Sequence, residues 1–362
     1  MTKPDIKYNF KRHDNTRDQS LRPYSAADEY LLQEYNRLVR EPTRTAVYHD
    51  RFGYLSCNLH SYKPNIILTT MSQEKAIELN LKNNKLPSAD FSYPLSGLDD
   101  KIEFALIKIP KSLALFEFFL QHITQNSTKD TTVVCAFMTR HFSPKILEIA
   151  SKYFENVEQS RAVKKARLMT LTKKKDGIKI EPIDTLDFNG QTYRQYWGVF
   201  SSNHIDYATQ FLIENLELNP TDNTILDLAS GNGVIAKEII LQLPHAEIHL
   251  MDDFYLAVES AKLNIEGESI HHHYNNDLSN FEDNTFDIIV TNPPFHIEYE
   301  VSIDIPLQLF RDSLRCLKDS GNLQVVANKH LNYMTHLKSI FPTVEVLNEN
   351  DKFIIYKCVK KT

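Results

Sequence analysis

The sequence predicts an α/β chain of two tandem, doubly wound domains, the first a degenerate copy of the second. Three observations carry that reading. Short apolar runs alternate with stretches of helical spacing in both halves, the pattern of a parallel sheet with crossover helices. One run, Thr224 to Leu228, leads into the turn Ala229-Ser230-Gly231-Asn232-Gly233 and then into a helix. The halves also share a spacing: Pro110 lies seven residues after Glu103, as Pro293 lies seven after Phe286. A chain of 362 residues has room for two domains at roughly 100–200 residues each.

Taken in order, Arg51-Phe52-Gly53-Tyr54 stands where a glycine turn would. Ile66 to Leu68 reads as a strand, and Glu74 to Leu79 starts a helix. Glu103 to Ile109 is an apolar run ending at Pro110-Lys111-Ser112, followed by a helix from Leu113 to His122 and a strand from Thr131 to Phe137. Between Lys173 and Gln191, Lys, Asp and Gly replace apolar periodicity, so domains are expected over residues 1–180 and 191–362. In the second half, Val234 to Leu243 is helical and Pro244 stops it. Glu247 to Met251 is a strand ending at Asp252-Asp253, and residues 254–264 are helical. Phe286 to Val290 is a strand ending directly in Asn292-Pro293-Pro294-Phe295. A helix over Ile305 to Leu317 and strands over Asn322 to Val326, Val344 to Leu347 and Phe353 to Val359 complete the pattern.

Bulk properties exclude several classes. No stretch approaches the roughly 20 apolar residues of a membrane span. The first twenty residues have charges but no apolar core, so no signal peptide is expected. Cys57, Cys135, Cys316 and Cys358 lie far apart, which supports neither a zinc ribbon nor a disulfide framework and suits a reducing cytoplasm. The net charge is −6, yet phosphate binding needs only a local patch. Arg161, Lys164, Lys165, Arg167, Lys173, Lys174 and Lys175 fall within fifteen positions without an acid. They read either as such a patch or as a solvated helix face or linker.

Two motifs carry chemistry. In Asp227-Leu228-Ala229-Ser230-Gly231-Asn232-Gly233, glycines allow positive φ and close backbone approach to a ligand. Asp252, at the end of the next strand, is placed to accept hydrogen bonds from two ribose hydroxyls, with Asp253 as the fallback after a one-residue slip. A dinucleotide site would need a third glycine where Ala236 stands. The second motif, Asn292 to Phe295, answers a specific chemical problem. An exocyclic amine is a poor nucleophile because its lone pair is delocalised into the ring. The Asn292 side-chain oxygen and the Pro293 carbonyl can accept its hydrogens, the prolines stiffen the backbone, and Phe295 can stack on the base.

These motifs resemble those of amino-methyltransferases that use S-adenosylmethionine. More narrowly, the chain resembles the bacterial ribosomal RNA guanine-N2 methyltransferases, through Trp197 to Ser201, Asp206, the glycine motif, Asn276, Asn292 to His296 and Val326 to Leu331. The segment Arg161 to Leu168 resembles the end of the family's N-terminal domain, and Val326 to Phe341 looks more like the large-subunit than the small-subunit enzymes. The resemblance implies two tandem Rossmann-like methyltransferase domains, the N-terminal one degenerate and concerned with RNA recognition. It implies S-adenosylmethionine as cofactor, held by Asp227, Ala229, Gly231, Gly233, Asp252 and Asn276. It implies catalysis by Asn292, Pro293 and Phe295. Substrate would be met by Phe200, Asp206 and His296 and by the basic Lys164, Lys165 and Arg167. The implied partner is 23S ribosomal RNA in protein-free form, with 16S ribosomal RNA as the alternative and no membrane or metal. The sequence departs from the family at Ala229-Ser230, usually Gly-Cys, and at Ser201 to Asp206, where the family's Arg is absent and His204 replaces Gly.

Two other readings fit the residues. Asn-Pro-Pro motifs also serve adenine-N6 and glutamine-amide methylation, usually with Tyr in the fourth position. The Ala229-Ser230 departure would also suit an RNA-binding or assembly protein whose cofactor site is dead. His271-His272-His273 invites a metal reading, but consecutive side chains on a strand point to alternate faces and cannot converge on one ion. Trp197 is expected to pack beneath residues 200–206, and Asn328 and His330 to end a strand.

Overall fold

The computed structural model describes residues 7–12, 22–98, 100–178, 180–201, 204–293, 296–297, 300–301 and 303–361. The chain divides into two compact units, Met1–Glu181 and Pro182–Thr362.

The first unit contains α1 (Ala26–Leu38), β1 (Thr45–Tyr48), α2 (Tyr54–Leu59), β2 (Asn65–Ile67), α3 (Met71–Asn83), β3 (Asp90–Ser92) and β4 (Ile102–Lys108). It continues with α4 (Leu113–Asn126), β5 (Ser127–Met138), α5 (Pro144–Tyr153), β6 (Phe154–Gln159) and β7 (Ala166–Lys174). The strands form one seven-stranded sheet in the order β3-β2-β1-β4-β5-β7-β6. The pairs from β3 to β5 are parallel, and β7 runs antiparallel to both β5 and β6.

The second unit opens with an antiparallel hairpin, β8 (Ile183–Phe188) and β9 (Gln191–Tyr196), then α6 (Tyr207–Glu214). There follow β10 (Thr224–Leu228), α7 (Val234–Gln242), β11 (Glu247–Asp252), α8 (Tyr255–Asn264), β12 (Ile270–Tyr274) and β13 (Phe286–Thr291). A small pair, β14 (His296–Ile297) and β15 (Glu300–Val301), precedes α9 (Asp304–Cys316), β16 (Leu317–Asn328), α10 (Tyr333–Lys338), β17 (Thr343–Glu349) and β18 (Phe353–Val359). The sheet order is β12-β11-β10-β13-β16-β18-β17, the same permutation as in the first unit. In both, strand order reverses beside the first strand of the sheet, at β1/β4 and at β10/β13, where doubly wound folds bind ligands.

The repeat extends to an irregularity. Between Phe286 and Ile288 the pairing to β16 jumps from Leu317 to Asn322; between Ile102 and Phe104 the pairing to β5 jumps from Ser127 to Thr132. A step of two residues on one strand thus matches a step of five on its neighbour in each unit. The Ser320-Gly321 turn therefore lies inside β16 rather than before it, with Ser320 at φ 63. A Cβ on Gly321 would meet the carbonyls of Lys318, Asp287 and Phe286 at 2.9–3.0 Å.

Strand alternation sorts the second unit's core onto two faces. Ile225, Ile248, Leu250, Ile288 and Val290 pack toward α6 and α7, while Leu226, Leu228, Met251, Ile289 and Val325 pack toward α9 and α10. Burying each such side chain is worth about 1.5–3 kcal/mol. Asp227 falls on the first face, beneath the start of α7. All four cysteines are buried and unpaired. Among the described residues no helix is long and apolar enough to cross a membrane.

Candidate active site

The glycine turn begins where β10 ends. Asp227 is fully buried; its Oδ2 accepts the Ala236 N–H at 3.1 Å, and its Oδ1 has no partner among the described residues. Burial pushes the carboxyl up to about 7, against the Ala236 hydrogen bond, with the charge of Asp252 adding to the rise. A buried oxygen left unpaired costs free energy unless a donor arrives. Ser230 Oγ, also buried, is likewise unpaired there.

The turn demands three left-handed residues: Ala229 at φ 61, Gly231 at φ 55 and Gly233 at φ 84. Ala229 thus holds a left-handed conformation that glycine would adopt more readily. The two glycines differ in surroundings. A Cβ on Gly233 would lie 3.0 Å from Ile265 Cδ1, so that glycine serves close packing of α8. A Cβ on Gly231 would meet nothing within 4 Å, so that position borders open space. Asp252 joins the turn directly: its Oδ2 accepts the Gly231 N–H at 2.9 Å and its Oδ1 the Phe254 N–H at 2.8 Å. Burial raises its carboxyl to about 6, against those hydrogen bonds. The Asn275 N–H closes on the Asp252 carbonyl at 3.1 Å, which brings half-buried Asn276 to the same end of the sheet.

One strand over, Thr291 Oγ donates to the Leu228 carbonyl at 2.6 Å, clamping the ends of β10 and β13 together. Leu228 pairs with Thr291, so Ala229 and Asn292 leave adjacent strand ends, about 5 Å apart in the sheet. The Asn292 amide nitrogen donates to Asp206 Oδ2 at 3.1 Å and to Thr209 Oγ at 2.9 Å. With both amide hydrogens committed to the first turn of α6, the amide oxygen is the group turned away from it. Asp206 is held in turn as the N-cap of α6, its Oδ2 accepting the Ala208 and Thr209 N–H groups. Pro293 is buried. Pro294 and Phe295 lie outside the described residues, as does the side chain of His296, whose backbone pairs with Val301.

Tyr207, in the first turn of α6, is 64% exposed and lies 4.8 Å from the His204 ring, and Phe200, ahead of α6 in the chain, is 69% exposed. Tyr207 and Thr209 carried no signal in the sequence, because neither belongs to a motif. Their relevance appears only when α6 is set against the end of β13. The hairpin is tied to the turn through Gln195, whose Oε1 accepts from Asn232 at 2.8 Å. Trp197 is half-buried, and its indole donates to Asp184 at 3.1 Å across the hairpin.

The basic run resolves into two parts, and neither is a helix face or a linker. Lys164 and Lys165 sit in the β6–β7 turn at φ 48 and 63, and Lys164 Nζ pairs with Glu29 at 2.9 Å. Arg167, half-buried on β7, reaches Gln159 at 3.5 Å. Lys174 donates to the carbonyls of Thr124 and Ser127, and Lys175 to that of Ser151. Those last two lysines tie down the ends of α4 and α5, so the seven charges do not act as one patch. Of the histidine run, His272 points to the far side, its Nε2 donating to the Ile265 carbonyl at 3.1 Å, while His271 and His273 contact His249 of β11. Treating the run by itself left out that neighbouring strand.

An unpaired acid beneath a glycine turn, one strand from an amide locked with its oxygen outward, suits the transfer of a methyl group to an amine. Fold and site together define an S-adenosylmethionine-dependent methyltransferase. Comparisons with known proteins narrow the class. Residues 1–175 match the RLMG N-terminal domain and residues 191–357 the methyltransferase small domain. The chain is 30% identical to ribosomal RNA large subunit methyltransferase G of Psychromonas ingrahamii, over 96% of both chains. It is 32% identical to the protein of that name from Yersinia enterocolitica, over 94% of this chain and 89% of the relative. The chain belongs to the ribosomal RNA large subunit methyltransferase G family. Its fold is similar to that of the T. thermophilus 16S rRNA N2 G1207 methyltransferase (RsmC), solved with AdoMet and guanosine. That match has TM-score 0.77 at 20% identity, covering 94% of this chain and 93% of the other.

Proposed function

We propose that this chain methylates the exocyclic N2 of a guanine in protein-free 23S ribosomal RNA. The observation that carries the reading is the fixed amide of Asn292. Its nitrogen is held by Asp206 and Thr209, so its oxygen is preset as an acceptor for one hydrogen of the guanine amine. The Pro293 carbonyl accepts the other, and Phe295 stacks on the base. Accepting both hydrogens returns lone-pair density to the nitrogen, and a preset acceptor needs no reorganisation at the barrier.

S-adenosylmethionine, when bound, supplies an electrophilic methyl on a sulfonium sulfur. The residues present fit it: Asp227 Oδ1 is an unmet acceptor beneath the turn, and Gly231 in that turn borders open space. Asp227 would hold the cofactor's ammonium, the turn from Ala229 to Gly233 its methionine moiety, Asp252 the ribose hydroxyls and Asn276 the adenine. Exposed Phe200 and Tyr207 would receive a guanine extruded from its stack, at a cost of a few kcal/mol that favours unpaired targets. In the first unit Lys165 and Arg167 would meet phosphates, with Lys164 released from Glu29.

The test is nucleoside mapping of 23S and 16S ribosomal RNA from a strain lacking the chain, followed by methyl incorporation into the purified RNAs. Loss and restoration of N2-methylguanine in 23S alone is the expected result. N6-methyladenine, or modification confined to 16S, would overturn it. Calorimetry with S-adenosylmethionine showing no binding up to millimolar would favour a non-catalytic RNA-binding role.

A further inference from the structure

At the edge of the second unit's sheet, β12 runs parallel to β11 with His249 paired to His271. Residues two apart on a strand share a face. Glu247 and His249 therefore stand beside His271 and His273. Glu247 Oε1 lies 2.9 Å from His271 Nε2 and 3.3 Å from His249 Nε2, and the three atoms fall within 4.8 Å of one another. Ligand atoms around a tetrahedral zinc ion stand about 3.4 Å apart, given bonds of roughly 2.0–2.2 Å. Two imidazole nitrogens and one carboxylate oxygen form a donor set that this ion favours.

The rings are braced for such a role. His249 Nδ1 is 3.0 Å from His273 Nε2, and the two rings stack at 5.2 Å and 6°. When Nδ1 carries the shared proton, the Nε2 lone pair of His249 points at the Glu247 carboxylate, an arrangement that calls for a cation between them. A hydrogen bond from the other ring nitrogen is how ligating histidines are oriented. Phe281 and Phe286 pack edge-on against His249 at 5.7 and 5.3 Å. We propose that Glu247, His249 and His271 bind one Zn²⁺, the fourth position being left to water. β12 is an edge strand, with a neighbour on one side only, and the ion would staple it to β11.

The experiment titrates zinc sulfate into the untagged full-length protein after chelator treatment. It expects one ion per chain at micromolar affinity or tighter. It also expects a melting temperature raised by about 5 °C or more at saturating metal. Glu247 and His271 are partly exposed, so substitutions there fold. His271→Ala and Glu247→Gln should each weaken binding at least tenfold and remove the thermal shift, while His272→Ala, on the opposite face, should leave both unchanged. Cobalt(II) in place of zinc should give visible absorption of tetrahedral intensity in wild type but not in His271→Ala. No saturable binding in the micromolar range, or equal binding by the His271→Ala and Glu247→Gln proteins, overturns the proposal.

Discussion

The two units share a strand order and even a register jump, yet at equivalent positions they hold opposite chemistry. Strand register supplies the correspondence. Val47 stands where the second unit has Asp227, Leu68 where it has Asp252, Arg51 where it has Gly231, and Lys108 where it has Asn292. The first unit keeps two of the turn's three left-handed positions: His49 is at φ 60 like Ala229, and Gly53 at φ 79 like Gly233, whereas Arg51 is not left-handed like Gly231. It also keeps the reach from the sheet back to the preceding helix. Lys108 Nζ contacts Asp28 Oδ2 at 2.7 Å in the first turn of α1, as Asn292 contacts Asp206 at the start of α6. What changed is that an ion pair replaced a hydrogen-bonded amide and apolar side chains replaced the acids. Backbone geometry survived because packing enforces it; side-chain chemistry went because nothing in the packing requires it.

Transplanting residues between the units tests that contrast. The largest effect is expected for Asn292→Lys, which copies Lys108. It removes the acceptor and places a cation against the amine, so methyl transfer should fall by about a hundredfold or more, as for loss of a preorganised polar group. Cofactor affinity measured by calorimetry should stay within a few-fold of wild type. Retained activity would sever Asn292 from the chemistry.

Asp227→Asn comes next and turns on pH. The folded carboxyl sits near 7 against an ordinary 3.8. A raised carboxyl contributes most to stability below about pH 4 and loses that contribution as pH climbs through 7. The cofactor-free wild type should therefore lose stability between pH 4 and 7 on this account, whereas the variant should escape that loss and melt higher at pH 8. Cofactor affinity should move the other way, falling at least tenfold in the variant, while in wild type it strengthens from pH 6 to 8 as Asp227 ionises. A variant less stable at pH 8 than wild type would contradict the assignment.

Smaller effects follow at the supports. Thr209→Val removes one of two hydrogen bonds that orient the Asn292 amide, worth about 1 kcal/mol, and should lower kcat several-fold with KM little changed, with Thr209→Ser restoring it. A purely structural role would shift melting temperature without that split. Ala229→Gly relieves left-handed strain of about 1–2 kcal/mol, partly offset by glycine's entropy, and should stabilise the cofactor-free protein by under 1 kcal/mol in denaturant titration. The same exchange at His49, in the unit that lacks counterparts of Asp227 and Asp252, should stabilise without touching cofactor affinity.

What the sequence disclosed follows the same division between backbone and side chain. The strands flanking the glycine turn were legible because apolar runs ended in residues with strong local demands, Gly231, Gly233 and the proline pair. The hairpin of β8 and β9 was not, since β8 falls inside the expected boundary and Thr192, Arg194 and Gln195 interrupt apolar alternation in β9. β6 reads Phe-Glu-Asn-Val-Glu-Gln and carries too little apolar character to announce itself. The acid and the asparagine could be named from their motifs. Thr209 could not, because its role depends on a contact 83 residues away in the chain. Glu247 and His249 escaped for a related reason: alternation was followed along one strand and not across to its parallel neighbour.

A single atom, Asp206 Oδ2, receives the N–H groups of Ala208 and Thr209 and one hydrogen of Asn292. Helix end and reactive amide thus hang from the same hook. Whatever loosens that corner unlatches the amide together with the start of α6.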